Sequence, residues 1–137
     1  YYTDSLTKRI DVFDYDASSG AIENRRAFVD TRDQPGVPDG LTVDSEGCVW
    51  SARWHGWKVT RYDPDGAVME DIHLPVQRPT SCTFGGENLM DLFITSASTG
   101  LDRDDEKHAH AGSLFWLQTG VRGQSECLFG DPGQNRQ

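Results

Sequence analysis

Cysteine is scarce in this 137-residue chain, and the three present, Cys48, Cys82 and Cys127, are widely spaced with no C-x-x-C pair. That excludes a disulfide scaffold and a thiolate zinc site, and leaves the cysteines as small buried hydrophobes within strand-like segments. Positive charge is also in deficit: 13 Lys and Arg stand against 22 Asp and Glu, a net charge of −9 shared between both halves. Without a basic stripe, sequence-independent nucleic-acid binding is excluded. No apolar run approaches the roughly 20 residues needed to span a bilayer, and no basic, then apolar, leader opens the chain. A cytoplasmic location is the expectation from the missing secretory signal. The chain opens without methionine, on Tyr1 in what reads as a strand already under way, and so reads as a fragment, a processed chain or a truncated one.

What the chain does have is turn formers, 14 Gly and 6 Pro, set between short apolar runs that alternate or bunch instead of recurring at helical spacing. That is an all-β pattern. Strands are expected at 1–3, 10–15, 26–29, 41–43, 48–52, 59–62, 68–74, 81–84, 92–95, 113–117 and 126–129. The intervening turns include Asp16-Ala17-Ser18-Ser19-Gly20, Asp44-Ser45-Glu46-Gly47 and Asp63-Pro64-Asp65-Gly66.

Self-comparison shows a repeat. Tyr15-Asp16 recurs as Tyr62-Asp63, Trp50-Ser51-Ala52 as Phe93-Ile94-Thr95, and Pro38-Asp39-Gly40 as Pro79-Thr80-Ser81. A period in the forties with four strands per unit is the spacing of a β-propeller blade. The expected units are blade one over about 1–33, blade two over about 37–76 and blade three over about 79–130, with a disordered tail at 131–137. Blade one lacks its inner strand. Three blades are too few to close by themselves, since closed propellers take about four to eight, so either part of the ring is missing or another chain supplies it.

Blade phasing predicts one shared mouth, ringed by Asp4-Ser5-Leu6-Thr7, Asp39, Arg53-Trp54-His55-Gly56-Trp57, Thr80-Ser81 and the connection 96–112. Asp39, pinned between Pro38 and Gly40, is the candidate metal ligand and general base. The same Pro-Asp-Gly run is also an ordinary Asx turn. Asp4, Trp54, His55 and Ser81 are candidate substrate contacts, the indole and imidazole by stacking on a polar ring; packing of the indoles on a neighbouring blade is the alternative. Asp102, Asp104, Asp105 and Glu106 lack the order of an EF-hand and read as a solvated loop or a lid, and His108 and His110 have no partner ligand at metal spacing. Ser81 and Ser96 lack a G-x-S-x-G context, and no glycine-rich phosphate loop is present.

These segments together resemble the family of gluconolactonase, senescence marker protein (regucalcin) and luciferin-regenerating enzyme. The resemblance is carried by Tyr1-Tyr2-Thr3-Asp4-Ser5, by 10–16 followed by Gly20, and by Val37-Pro38-Asp39-Gly40-Leu41. It continues through Asp44-Ser45-Glu46-Gly47 to Trp50, through 59–66 and 79–86, and into 123–130. It implies six-bladed propellers with a divalent cation, most often Ca²⁺, in the channel, many hydrolysing sugar lactones. It also implies that Asp39 matches the channel aspartate that ligates the metal and activates water. The resemblance covers only the C-terminal half. The family's glutamate ligand and its asparagine ligand fall outside this chain, and the isolated chain is expected to hold the cation weakly or not at all. Two expectations follow: half of a lactonase-like hydrolase, inactive until a complementary half completes it, or a non-catalytic binding module in which two copies pair as a homodimer through open blade edges.

Overall fold

The structure, a computed structural model, describes residues 1–102 and 104–125. The expected strand at 126–129, Cys127, the end of blade three and the tail at 131–137 lie outside the described residues.

Among the described residues, ten strands form three antiparallel sheets. The first sheet contains β1 (Tyr2–Asp4), β2 (Arg9–Tyr15) and β3 (Ile22–Asp30), paired in chain order. The second contains β4 (Val37–Val43), β5 (Val49–Trp54), β6 (Lys58–Tyr62) and β7 (Val68–His73), again in order. The third contains β8 (Pro79–Gly85), β9 (Asp91–Ser96) and β10 (Phe115–Gln118). Helix among the described residues is confined to two single 3-10 turns, Ser5–Thr7 and Glu106–His108. The all-β expectation holds, with corrections of extent: strand 41–43 begins at Val37 and strand 81–84 at Pro79, and two others also shift. Strand 26–29 begins earlier, at Ile22, because Asn24, at φ 52°, and the register shifts facing Asp11 and Asp14 let a polar, exposed segment continue the ladder. Strand 113–117 starts later, at Phe115, because Ser113 donates its backbone N–H to His110 and its carbonyl accepts from Ser96 Oγ.

The turns share one device. Asp16 Oδ1 accepts from Ser18 N and Ser18 Oγ, and its Oδ2 from Ser19 Oγ at 2.6 Å; these hydrogen bonds hold its carboxyl down at about 2. Asp44 Oδ1 accepts from Glu46 N and Cys48 N, and Asp63 Oδ1 from Asp65 N and Ala67 N. A short carboxylate receives the backbone N–H two residues on in each turn, and at Asp44 and Asp63 the N–H four residues on as well. Gly66 completes the third turn at φ 87°, where a side chain would lie 2.6 Å from the Phe28 carbonyl of the neighbouring sheet.

The core lies between the sheets. Trp50, Ala52, Val59, Leu74, Val76, Cys82, Phe84, Leu92 and Ile94 fill the space between the second and third sheets. Ile10, Val29 and Tyr62, with Phe28 and Leu41, fill that between the first and second. Strands of period two bury alternate residues toward different neighbours, so β5 is buried on both faces from Val49 to Arg53. Cys48 and Cys82 are buried free thiols, and burial pushes Cys82 up to about 12. The first sheet's far face leaves Tyr2, Tyr15 and Ile22 exposed, and Leu114 and Trp116 are exposed at the third. No helix among the described residues is long and apolar enough to cross a membrane.

Candidate functional site

Asp39 sits on β4 where the β4–β5 register slips between Pro38 and Leu41. Pro38 has no N–H to give the ladder, and its carbonyl instead accepts from Ser5 Oγ at 2.9 Å, tying the first sheet to β4. Gly40 lets β8 come close: a Cβ there would lie 2.8 Å from Ser81 Cα. Gly40 and Ser81 occupy equivalent positions in the sequence repeat, and in the fold they touch.

The slip leaves Asp39 half-buried at a cavity of about 280 Å³ lined by Tyr1, Tyr2, Thr3, Ser5, Asp39, Gly40 and Leu41. Burial pushes the Asp39 carboxyl above its ordinary value, only partly opposed by the Gly40 N–H, and no ion pair engages it among the described residues. Thr3 Oγ1 is buried with no hydrogen-bond partner among the described residues. A carboxylate without a cation beside an unpartnered hydroxyl can take up a proton or ligate a hard cation.

The other candidate residues lie at the same end of the sheets, outside the lining of this cavity. Asp4 caps the first 3-10 turn, accepting from Leu6 N at 3.1 Å. Ser81 packs on Gly40 as described. Trp54 pairs in register with Val37, with the Arg78 guanidinium 5.1 Å over its ring and His55 edge-on at 5.7 Å. His55 is exposed at φ 62°, and burial followed by the Arg78 charge holds its imidazole below the usual value.

The connection after β9 folds back on this end. Arg78 Nη1 donates to the Thr99 carbonyl, and His108 is buried, stacked on Trp57 at 6.3 Å. Asp102 and Asp105 are taken up locally, accepting from Asp104 N and Lys107 N, while His110 is exposed. Among the described residues no group of three or more His, Cys, Asp or Glu side chains is placed to hold a metal ion. Calcium takes about six to eight oxygens, so Asp39 with Thr3 and Ser5 nearby fits one edge of such a site and does not make one.

Sequence reading missed the role of Asp44, and it placed Arg53 in the mouth-ringing run 53–57 without foreseeing its burial. Asp44, fully buried, accepts from Trp50 Nε1 at 2.8 Å and from Arg61 Nε and Nη2, and its backbone carbonyl accepts from Gln124. Burial alone would raise its carboxyl, but these donors and the Cys48 and Glu46 N–H groups outweigh it and hold it below the usual range. Its place in a turn motif hid this role. Arg53 is fully buried in the fold, and nothing in its local sequence signals that.

The SMP-30/Gluconolactonase/LRE-like region matches residues 1–98. The chain is 40% identical to Regucalcin of Oryctolagus cuniculus and 39% identical to that of Homo sapiens, each over 90% of this chain and 42% of the relative. In structure it is similar to a calcium-binding protein, regucalcin, from Agrobacterium tumefaciens, with TM-score 0.86 and 32% identity over 92% of this chain and 43% of that one. It is similar also to luciferin-regenerating enzyme, with TM-score 0.82 and 34% identity over 91% of this chain and 43% of that one. A gluconolactonase of Xanthomonas campestris aligns with TM-score 0.55 and 30% identity over 79% of this chain and 29% of that one. The chain thus spans less than half the length of the relatives it matches.

Proposed function

Because the chain belongs to the SMP-30/gluconolactonase/LRE-like family, we propose that it forms half of a propeller-shaped, metal-dependent lactonase-like hydrolase and contributes Asp39 to a site that a complementary half completes. The observation that carries this is the half-buried Asp39 carboxylate, raised in pKa, at a cavity beside the buried Thr3 hydroxyl, with no ion pair to the one and no hydrogen bond to the other among the described residues. A divalent cation, calcium by its preference for hard oxygens, would draw on Asp39 here and on ligands from the complement.

Asp39 is suited to serve as general base. It takes a proton from water as the water oxygen bonds to the lactone carbonyl carbon; the ring C–O bond then breaks, the ring oxygen takes that proton back from Asp39, and a hydroxy acid leaves. Trp54, His55, Ser81 and Asp4 are the proposed substrate contacts. Fusing the chain behind the segment of a regucalcin relative that precedes the matched stretch tests this. The fusion should hydrolyse gluconolactone, and Asp39→Asn should lower the rate by about a hundredfold or more. A folded fusion without hydrolysis, or one indifferent to Asp39→Asn, overturns the reading.

A second reading is favoured by the apolar side chains left exposed on the first and third sheets: two copies pair through them as a homodimer and bring two Asp39 carboxylates together. Light scattering with and without millimolar Ca²⁺ separates the two. A dimer that tightens with Ca²⁺ and weakens in Asp39→Ala supports pairing, and a strict monomer in both conditions excludes it.

A further inference from the structure

Asp39 is followed directly by Gly40, and such a pair has a reaction of its own. The backbone nitrogen of the second residue can attack the side-chain carboxyl carbon of the first, and a residue without a Cβ hinders that attack least. A fold suppresses the reaction where it ties the nitrogen into a ladder or turn and holds the carboxyl elsewhere. At Asp39 neither restraint is in place.

The register of β4 with β5 passes from Pro38 beside Arg53 to Leu41 beside Ser51, so Asp39 and Gly40 fall in the slip with no partner residue on β5. β4 is also the edge strand of its sheet. The Gly40 N–H bonds the Asp39 carboxylate itself, which brings the attacking nitrogen close to the carboxyl carbon. In front of them lies the cavity of about 280 Å³, with room for a five-membered ring and for the water that reopens it. The chain's other Asp-Gly pair, Asp65-Gly66, is built differently: the Gly66 N–H donates to the Asp63 carbonyl at 2.9 Å, in a turn held at φ 87°.

We propose that Asp39-Gly40 is a site of spontaneous backbone isomerisation, at which Asp39 becomes isoaspartate in the folded chain. Gly40 N gives up its proton and bonds to Asp39 Cγ, and the carboxyl's OH leaves with a proton as water, closing a succinimide. Water then adds to one of the ring's two carbonyls. Opening at Cγ restores Asp39; opening at the main-chain carbonyl routes the backbone through Cγ and leaves a carboxyl directly on Cα. The backbone gains one atom and the side chain loses its methylene, so the carboxylate withdraws from the cavity. The change needs no second half and no cation, and it goes beyond the hydrolase reading without depending on it.

Incubating the folded chain in neutral buffer and mapping it with trypsin tests this, because residues 33–53 come off as one peptide between Arg32 and the cut after Arg53. Isoaspartate leaves the peptide mass unchanged, shifts its chromatographic retention, and is identified by electron-transfer fragmentation and by enzymatic methylation of the new carboxyl. In the folded chain it should build up at 39 about tenfold faster than at 65, and in urea at similar rates at both. Asp39→Asn, which closes the same ring with loss of ammonia, should turn into a mixture of Asp and isoaspartate faster still, read as a gain in mass. Isoaspartate confined to 65, or formed at 39 only in urea, overturns the site, as does an Asp39→Asn chain that keeps its amide through the same incubation.

Discussion

Asp39 and Asp44 stand on and beside the same strand, and the fold treats their charges in opposite ways. Burial raises the Asp39 carboxyl with little to oppose it, whereas Asp44, buried more deeply, is surrounded by donors that outweigh its burial. The linkage therefore differs in sign. A raised carboxyl contributes stability that is present below its unfolded value and is lost as pH rises through the folded one. Asp39→Asn should accordingly be as stable as the parent chain near pH 3 and at least as stable at pH 7, in urea titrations, even though it removes the proposed base. A lowered carboxyl contributes stability present above its unfolded value and lost as pH falls through the folded one. Asp44→Ala, which strips the Arg61 and Trp50 partners from a buried position, should cost about 3–5 kcal/mol at pH 7. That deficit should shrink as the pH of the titration is lowered.

At the scale of the element, glycines serve for two separable reasons. Gly40 has no unusual φ and is required because β8 lies against it, whereas Gly20 has φ 76° with nothing within 4 Å of where a side chain would start. Gly40→Ala should cost about 1–3 kcal/mol through displaced strands, and Gly20→Ala about 1 kcal/mol through backbone strain alone. Urea unfolding measures both, and only Gly40→Ala should also disturb the Asp39 cavity. The connection 97–112 is a second element-scale test. It is anchored by His108 on Trp57 and by Arg78 on Thr99. Trp57→Ala should therefore speed amide exchange in 97–112 while leaving β4 through β6 protected.

At the scale of the molecule, the described residues do not hold enough oxygen ligands for a calcium site, so calorimetric titration of the isolated chain should show no Ca²⁺ binding tighter than about 1 mM. A tight single site would show that residues of this chain other than those discussed complete the shell. Much of the architecture was legible beforehand, because it depends on local chemistry. Apolar alternation marked the strands, Asp and Gly marked the turns, and the repeat of Pro38-Asp39-Gly40 with Pro79-Thr80-Ser81 pointed to equivalent strands that do lie side by side. The family was legible for the same reason, since its motifs are mostly those turns and strand starts. Which side chains share a buried face depends on how whole sheets stack, and no short window of sequence contains that. Trp54 and His55 lie at the same end of the sheets as Asp39, but that they sit against Arg78 and do not line the Asp39 cavity depends on how the strands pair, with Trp54 beside Val37 at the strand's end and Asp39 within the slip of β4. The central role of Asp44, the buried Thr3 hydroxyl and the burial of Arg53 beside Tyr62 were likewise decided only in the tertiary structure, where burial removes water and leaves each polar group to the partners that neighbouring strands provide.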